Sequence, residues 1–411
     1  MSHTATQPHS HSGILLLLLL TLAACSEPAT DTTNLLGQPW AEIEAAANGQ
    51  TVDLIMWMGD PYINGYIRDY VTPEVKERYG ITLNVSSGQG NQIVSALMTE
   101  MEAGRNVSDF DMMWINGETF YQLRQIDALY GPFVETLPNA EYINFDSPFI
   151  GIDFQQPVDG YEMPWGNVQL ALIYDSLRVQ NPPATREELA EWVRANPGRF
   201  TFDNHFTGMT FLKSLLIDIA GGPGSLDGDF DEAAYEEYSS QLWAYLNEIK
   251  PNFWKEGRTF PGNVAQMHQL FANGEVDITM SNNDGEVDNK VLQGLFPESS
   301  RAYVLESGTI QNSHFMGIVN RSADKAGALV VANFMISPEA QLRKMNPEIW
   351  GDGTVLDIER LPEEWQAQFA NVPNRRYAPK RADIQDHALM ELAPEYMIRL
   401  YEDFRTEVIE E

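Results

Sequence analysis

Trp57, Trp114 and Trp165 each stand at the end, or just past the end, of an apolar run that reads as a strand. Indoles in that position can wall a planar, apolar or cationic ligand, because their faces stack on rings and attract positive charge. Asp60, Glu118 and Asp284 are the carboxylates closest to the loops that follow the strands, and with the indoles they would suit an amine or a quaternary ammonium. Asn91, Asn116, Asn282 and Asn283 add amides that donate and accept hydrogen bonds without specifying a charge. Gly59 and Gly166 complete the set of candidate ligand-binding positions. Each indole has core packing as its alternative role, and each carboxylate has plain solvation.

Other chemistry finds less support. Asp227, Asp229 and Asp231 have the first, third and fifth spacing of a calcium loop, but the sixth position is Glu232 and the twelfth Tyr238. Capping of a following helix is the better use of Asp231. Gly221-Gly222-Pro223-Gly224 lacks the Gly-Lys-Ser/Thr ending of a phosphate loop. His205, His268, His314 and His387 form no pair at helical metal-ligand spacing. No Gly-x-Ser-x-Gly elbow occurs. The expectation is therefore a binding protein without catalytic residues, metal or cofactor, with an enzyme using the same cleft as the competing reading.

These residues have to be positioned by an exported chain. Ile14 to Leu20 is one apolar run, followed by Thr21-Leu22-Ala23-Ala24-Cys25, in which small residues precede the sole cysteine. The run is far shorter than the roughly twenty residues that span a bilayer, so residues 1–24 read as a signal peptide. The segment before it holds His3, His9 and His11 but no Lys or Arg. Leu22 to Cys25 resembles the bacterial lipobox, which makes Cys25 the expected lipidation site and residues 25–38 a tether. With that thiol consumed no disulfide is available, so stability must come from burial. About 370 residues follow the tether, enough for two domains. The net charge of −33, from 59 acidic and 26 basic residues, is spread along the chain and excludes nucleic acid and anionic membrane surfaces as partners. A saline habitat and a cationic solute are both open as its cause.

The elements alternate. Val52 to Met58 reads as a buried strand, Tyr62 to Tyr79 as a helix stopped by Gly80, Ile81 to Val85 as a second strand, Gln92 to Ala103 as a helix, and Phe110 to Ile115 as a third strand. That order implies a parallel α/β sheet. A second unit adds a strand at Gln169–Tyr174, helices at 185–195, 208–220, 231–249 and 264–272, and a strand at Val276–Met280. A strand at Phe315–Val319 then precedes a helix at 323–336, and helices dominate the tail. In open parallel sheets, ligands gather outside the carboxyl ends of the strands, which is where the indoles, carboxylates and amides above lie.

Four segments together resemble the type II periplasmic-binding-protein superfamily, in the branch that includes polyamine, thiamine and ferric-iron binders. Met163 to Asp175 looks like its first crossover strand. Phe271-Ala272-Asn273-Gly274-Glu275-Val276-Asp277-Ile278-Thr279-Met280 looks like its helix, glycine turn and strand, Phe315 to Asn320 like the returning crossover, and Ala326 to Ala340 like the helix packed after it. The resemblance implies two α/β lobes with mixed, mainly parallel sheets, lobe I from 39–164 and 320–348 and lobe II from 165–319 and 349–411. It places the pocket at Trp57–Asp60, Gln89–Asn91, Trp114–Asn116, Trp165, Gly166 and Asn282–Asp284. It also implies capture of a small-molecule solute by hinge closure and delivery to an ABC permease and its ATPase by a periplasmic monomer, bound to the membrane through its lipid alone. A sensory adaptor would share this trap. The iron-binding branch supplies paired tyrosines to its cleft; here Tyr235 and Tyr238 are the nearest pair, on a helix that reads as outer.

Overall fold

The computed structural model describes residues 1–3 and 35–410. Residues 4–24 of the signal peptide, Cys25 and most of the tether lie outside them.

Strand β1 (Thr51–Met56) buries Val52, Leu54 and Met56 on one face, the period-two pattern of a strand covered on that side. It pairs in parallel with β2 (Thr82–Ser87) on one side and β3 (Met112–Ile115) on the other. The connection from β1 to β2 is helical from Pro61 to Tyr79, with a π-type turn over Ile67–Val71. Asp60 starts this helix by accepting from the amides of Tyr62 and Ile63, and Pro61 sits in the first turn, where its missing N–H costs nothing. Gly80 ends it with φ 72°, a left-handed position that glycine adopts without strain. The helix Asn91–Glu102 joins β2 to β3.

After a small hairpin of β4 (Ile152–Asp153) and β5 (Gln156–Pro157), the chain enters β6 (Glu162–Gln169) and β7 (Ala171–Asp175). The sequence predicts one strand over 169–174. The extended run is longer and changes sheets at Leu170, whose amide donates to Ile310 O at 2.8 Å. β6 lies antiparallel to β10 (Thr309–Ile318), whereas β7 is the centre of a second sheet between β8 (Ile278–Ser281) and β9 (Ser300–Tyr303). β10 returns antiparallel to β3, and β11 (Ala388–Leu389) runs parallel to its first residues. The first sheet is thus mixed around a parallel centre. The second is antiparallel throughout, because β7 enters it from a crossover and β8 and β9 both run against it.

Two large cores follow from this crossing. The first gathers Val52, Leu54, Met112, Met163, Trp165 and Met316 against the fully buried helix Lys325–Met335. The second gathers Leu170, Leu172, Phe200, Phe202, Leu212, Leu215 and Met280 against Tyr396 and Met397. The chain therefore changes cores near Leu170 rather than at 164, since Trp165 faces the first core. Residues from 349 onward do not return directly to the second: Trp350, Val355, Leu356, Leu361 and Phe369 still pack in the first.

Candidate functional site

Where the two halves face each other they enclose a cavity of about 660 Å³, within the size range that holds small organic ligands. The first half contributes Trp57 and Asp60 after β1, Gln89 and Asn91 after β2, and Trp114, Asn116 and Glu118 at the end of β3. The second contributes the loop Asp203–Thr207, Asn263, and Ser281 to Asn283 after β8. Asn312 and His314 come from β10, and Trp350 and Tyr401 close the remaining sides.

The aromatic wall is built in depth. Trp165 is fully buried and lies behind the cavity, so it leaves the set of candidate ligand residues and becomes the support for those in front. Its ring centroid is 5.1 Å from Trp114, edge to face, and 5.1 Å from Trp350. His314 stacks on Trp350 at 6.0 Å with an 11° interplanar angle. Gly166 also lies outside the wall, and the reason is steric. A Cβ there would meet Asp352 Oδ2 at 2.2 Å and His314 Cδ2 at 2.5 Å. The glycine lets Asp352 come up behind His314, which it holds at 3.2 Å. Gly59 works in the same way: a Cβ would stand 2.4 Å from the Trp57 ring, so its absence lets that indole fold across the loop.

The carboxylates fall into two classes. Asp60 is ion-paired with Lys290, which reaches it from the helix Glu286–Leu292 of the other half and also pairs with Glu286 at 3.1 Å. Tyr62 adds a second link across the halves by donating to Asn289 O at 3.4 Å. Burial would raise the Glu286 carboxyl, but Lys290, His268 and the Ser281 hydroxyl hold it down to about 2. Asp284 is fully enclosed and does not line the cavity. It accepts from the Gln169 amide at 3.1 Å and pairs with Arg375 and with Arg381 at 3.1 Å. Burial would raise its carboxyl too, and Arg381 and Arg375 keep it below the ordinary range. Asp60 and Asp284 thus have internal cations as partners and are not free for a ligand amine. Asn282 and Asn283 remain on the wall, with Asn282 donating to Thr207 at 3.1 Å.

Glu118 and Asp203 form the second class. Glu118 is raised chiefly by burial, and its Oε2 has no partner. Asp203 Oδ1 accepts from the His205 amide at 3.0 Å, while Oδ2 has none. Burial pushes Asp203 up to about 6 from an ordinary 3.8, against the opposing pull of the Gly208 and His205 amides. A carboxyl whose folded value is raised binds its proton more tightly in the folded state, so its contribution to stability is greatest below pH 4 and falls as pH rises towards 6. Asp203→Asn removes this titration. The difference in unfolding free energy between wild type and variant should change by about 2 kcal/mol between pH 4 and pH 7 in urea melts; a constant difference would show that Asp203 does not titrate in this window.

The other singled-out residues are structural. Asp231 caps the helix Glu232–Ile249 by accepting from the Ala233 and Ala234 amides. Tyr235 is buried in the second core and donates to Asp403 at 2.8 Å. Among the described residues no group of three His, Cys, Asp or Glu is arranged to hold a metal. Sequence reasoning missed Trp350, Tyr401 and the loop Asp203–Thr207. The loop had a legible signal, Asp-Asn-His directly ahead of a helix, whereas Trp350 follows the helix Pro338–Met345 and Tyr401 lies near the end of the helix Pro394–Phe404, away from any strand end.

A sheet-ended cleft between two crossover-linked α/β units defines a ligand-binding protein of the periplasmic type. The profile of bacterial extracellular solute-binding proteins matches residues 71–373, and the chain belongs to that family. It is 38% identical over 352 residues to Protein YnjB of Escherichia coli K12, covering 85% of this chain and 88% of that one. The fold is that of type II periplasmic binding proteins. An ABC transporter substrate-binding protein from Bradyrhizobium japonicum superposes with TM-score 0.62 at 16% identity, over 86% of this chain and 99% of that one. The spermidine/putrescine substrate-binding protein PotD of Streptococcus pneumoniae gives 0.58 at 18%, over 87% and 99%. The chain is thus an extracellular solute-binding protein of the ABC-importer type, a binding protein rather than an enzyme, and such proteins work with a permease and its ATPase. Among the described residues no helix is long and apolar enough to cross a membrane.

Proposed function

We propose that this protein is the lipid-anchored receptor of its importer, holding one small organic solute between its two lobes and presenting it to the permease as a monomer. The observation that carries the reading is the composition of the cavity: indoles from the first half and amides from both halves converge on one space. Aromatic faces give affinity there and amides give orientation. The Asp60–Lys290 and Tyr62–Asn289 contacts join the halves, which fits a trap that closes about its cargo. Anchoring is supported by Leu22-Ala23-Ala24-Cys25 behind the apolar run.

Native mass spectrometry of the membrane-extracted protein tests both parts at once. The expected spectrum shows a chain beginning at Cys25 with added acyl mass and one non-covalent small molecule. A chain with an unmodified Cys25 would overturn the anchor. A ligand-free chain whose melting temperature responds to no organic solute would overturn the receptor.

A further inference from the structure

Between β4 and β5 the chain turns through Phe154 and Gln155, with φ of 45° and 61°. Two successive positive φ values mark a tight hairpin turn that normally takes Asn-Gly or Asp-Gly, and side chains as large as these hold it under strain. What the two side chains reach accounts for their being there. Ile150, ahead of the turn, packs in the first core, and Val158, after it, packs with Met113 and Phe315 on the other face of the first sheet. Phe154 between them leaves that half and is buried in the second core. The Lys213 ammonium, from the helix Phe206–Ile219, lies 4.1 Å from its ring centroid, and Lys213, itself fully buried, is paired with Glu391. Gln155 makes two further links to the second half: its Nε2 donates to Glu391 O at 2.6 Å, and its Oε1 accepts from the Gly228 amide at 3.0 Å.

The seat of this turn is tied to both walls of the cavity. On the first side it is made by Gly117, where a Cβ would stand 2.0 Å from Phe154 Cδ2, and Gly117 directly follows Asn116 of the cavity wall. On the second side Glu391 accepts from Nδ2 of Asn312, another wall residue, at 2.9 Å. Crossover segments act as hinges and by themselves set no angle between the halves, whereas a side chain of one half seated in the core of the other does. We propose that the β4–β5 hairpin is a strap between the lobes: with Phe154 and Gln155 seated, the halves are held at the angle that forms the cavity, and withdrawal of the tip releases them to open. The strain of the turn fits a contact that has to let go, because it offsets part of what seating the ring gains. The strap rests on the reading of the molecule as a trap that closes, and it adds to that reading a working part outside the solute site.

Pulsed electron-spin measurement of the distance between nitroxides on Glu77→Cys and Glu236→Cys tests the strap without a solute. Glu77 is exposed on the helix Thr72–Tyr79 of the first half and Glu236 on the helix Glu232–Ile249 of the second, and Cys25→Ser removes the chain's own thiol. This parent chain should give one narrow distance. Gln155→Gly relieves a positive φ and deletes both of the Gln155 links, so it should broaden the distribution about twofold while moving the melting temperature little. Phe154→Asn/Gln155→Gly supplies the pair favoured in this turn and withdraws the ring, and it should broaden the distribution further. If loss of the ring from the second core prevents folding, Gln155→Gly alone carries the comparison. A lowered melting temperature with an unchanged distribution would make the hairpin a local packing element and overturn the strap. A parent distribution already as broad as the variants' would overturn it too. Solute capture is judged separately by the native mass spectrum, so the two readings fail independently.

Discussion

Lys344→Met should cost about 3–5 kcal/mol of unfolding free energy at pH 7, among the largest single losses available in this fold. Lys344 and Asp352 are both fully buried and 2.7 Å apart, and the ammonium also donates to the Gly353 carbonyl. Burial alone would raise the Asp352 carboxyl; Lys344 and His314 hold it down to about 2. Because this folded value lies below the ordinary 3.8, ionisation of Asp352 favours the folded state above that pH and the contribution disappears as pH falls towards 2, while burial pushes Lys344 down to about 8, an opposing cost at neutral pH. Methionine keeps the volume and removes the charge, so the carboxylate is left in the core with His314 as its remaining partner. The deficit should be largest near neutrality and shrink on acidification, when the variant's Asp352 takes up a proton. Lys344→Met/Asp352→Leu should recover much of the loss, because an apolar pair does not carry the desolvation penalty. Urea melts at pH 7 and pH 4 read all of this. A deficit below about 1 kcal/mol at pH 7 would mean that water reaches the pair.

Trp114→Ala should damage fold and binding together. The ring is only partly buried, yet it lies against Trp165, His314 and Trp350, and its other side lines the cavity. Truncation of an aromatic in such a cluster costs about 3–5 kcal/mol, and the lost face should weaken solute affinity at least tenfold. Trp165→Ala separates the two effects. Trp165 lies behind the wall, so its truncation should cost as much stability while lowering affinity only to the extent that Trp114 and Trp350 shift. Melting curves and titrations on the same preparations decide between these patterns. If Trp165→Ala abolished binding at unchanged stability, the layering of the wall described above would be wrong.

The contrast between Trp114 and Trp165 shows where the sequence is readable. β1, β2 and β3 declare themselves by short apolar runs, and Gly80 marks the helix end because a left-handed residue is needed there. The loops after those strands follow from the topology, so the order of strands and helices along the chain is enough to put Trp57, Asn91, Trp114 and Asn116 at the cleft. Trp165 follows the same rule but lies in β6, whose residues are buried on both faces, and a strand of that kind gives no period to say which face meets the ligand. The fate of the carboxylates was illegible for a different reason. Asp60 meets Lys290 and Asp284 meets Arg375 and Arg381 only after the chain has crossed between sheets, over separations of 91 to 230 residues. Asp203 and Glu118, which keep free oxygens, differ from Asp60 and Asp284 in nothing that composition or spacing records.

The most direct measurement is a crystal structure of the protein carrying the solute it retains from the cell. The account predicts density for one organic molecule in the cavity, in contact with Trp57 or Trp114 from the first half and with the Asp203–Thr207 loop or Asn282 from the second. A solute bound on one half alone, or anywhere outside this cavity, would contradict it.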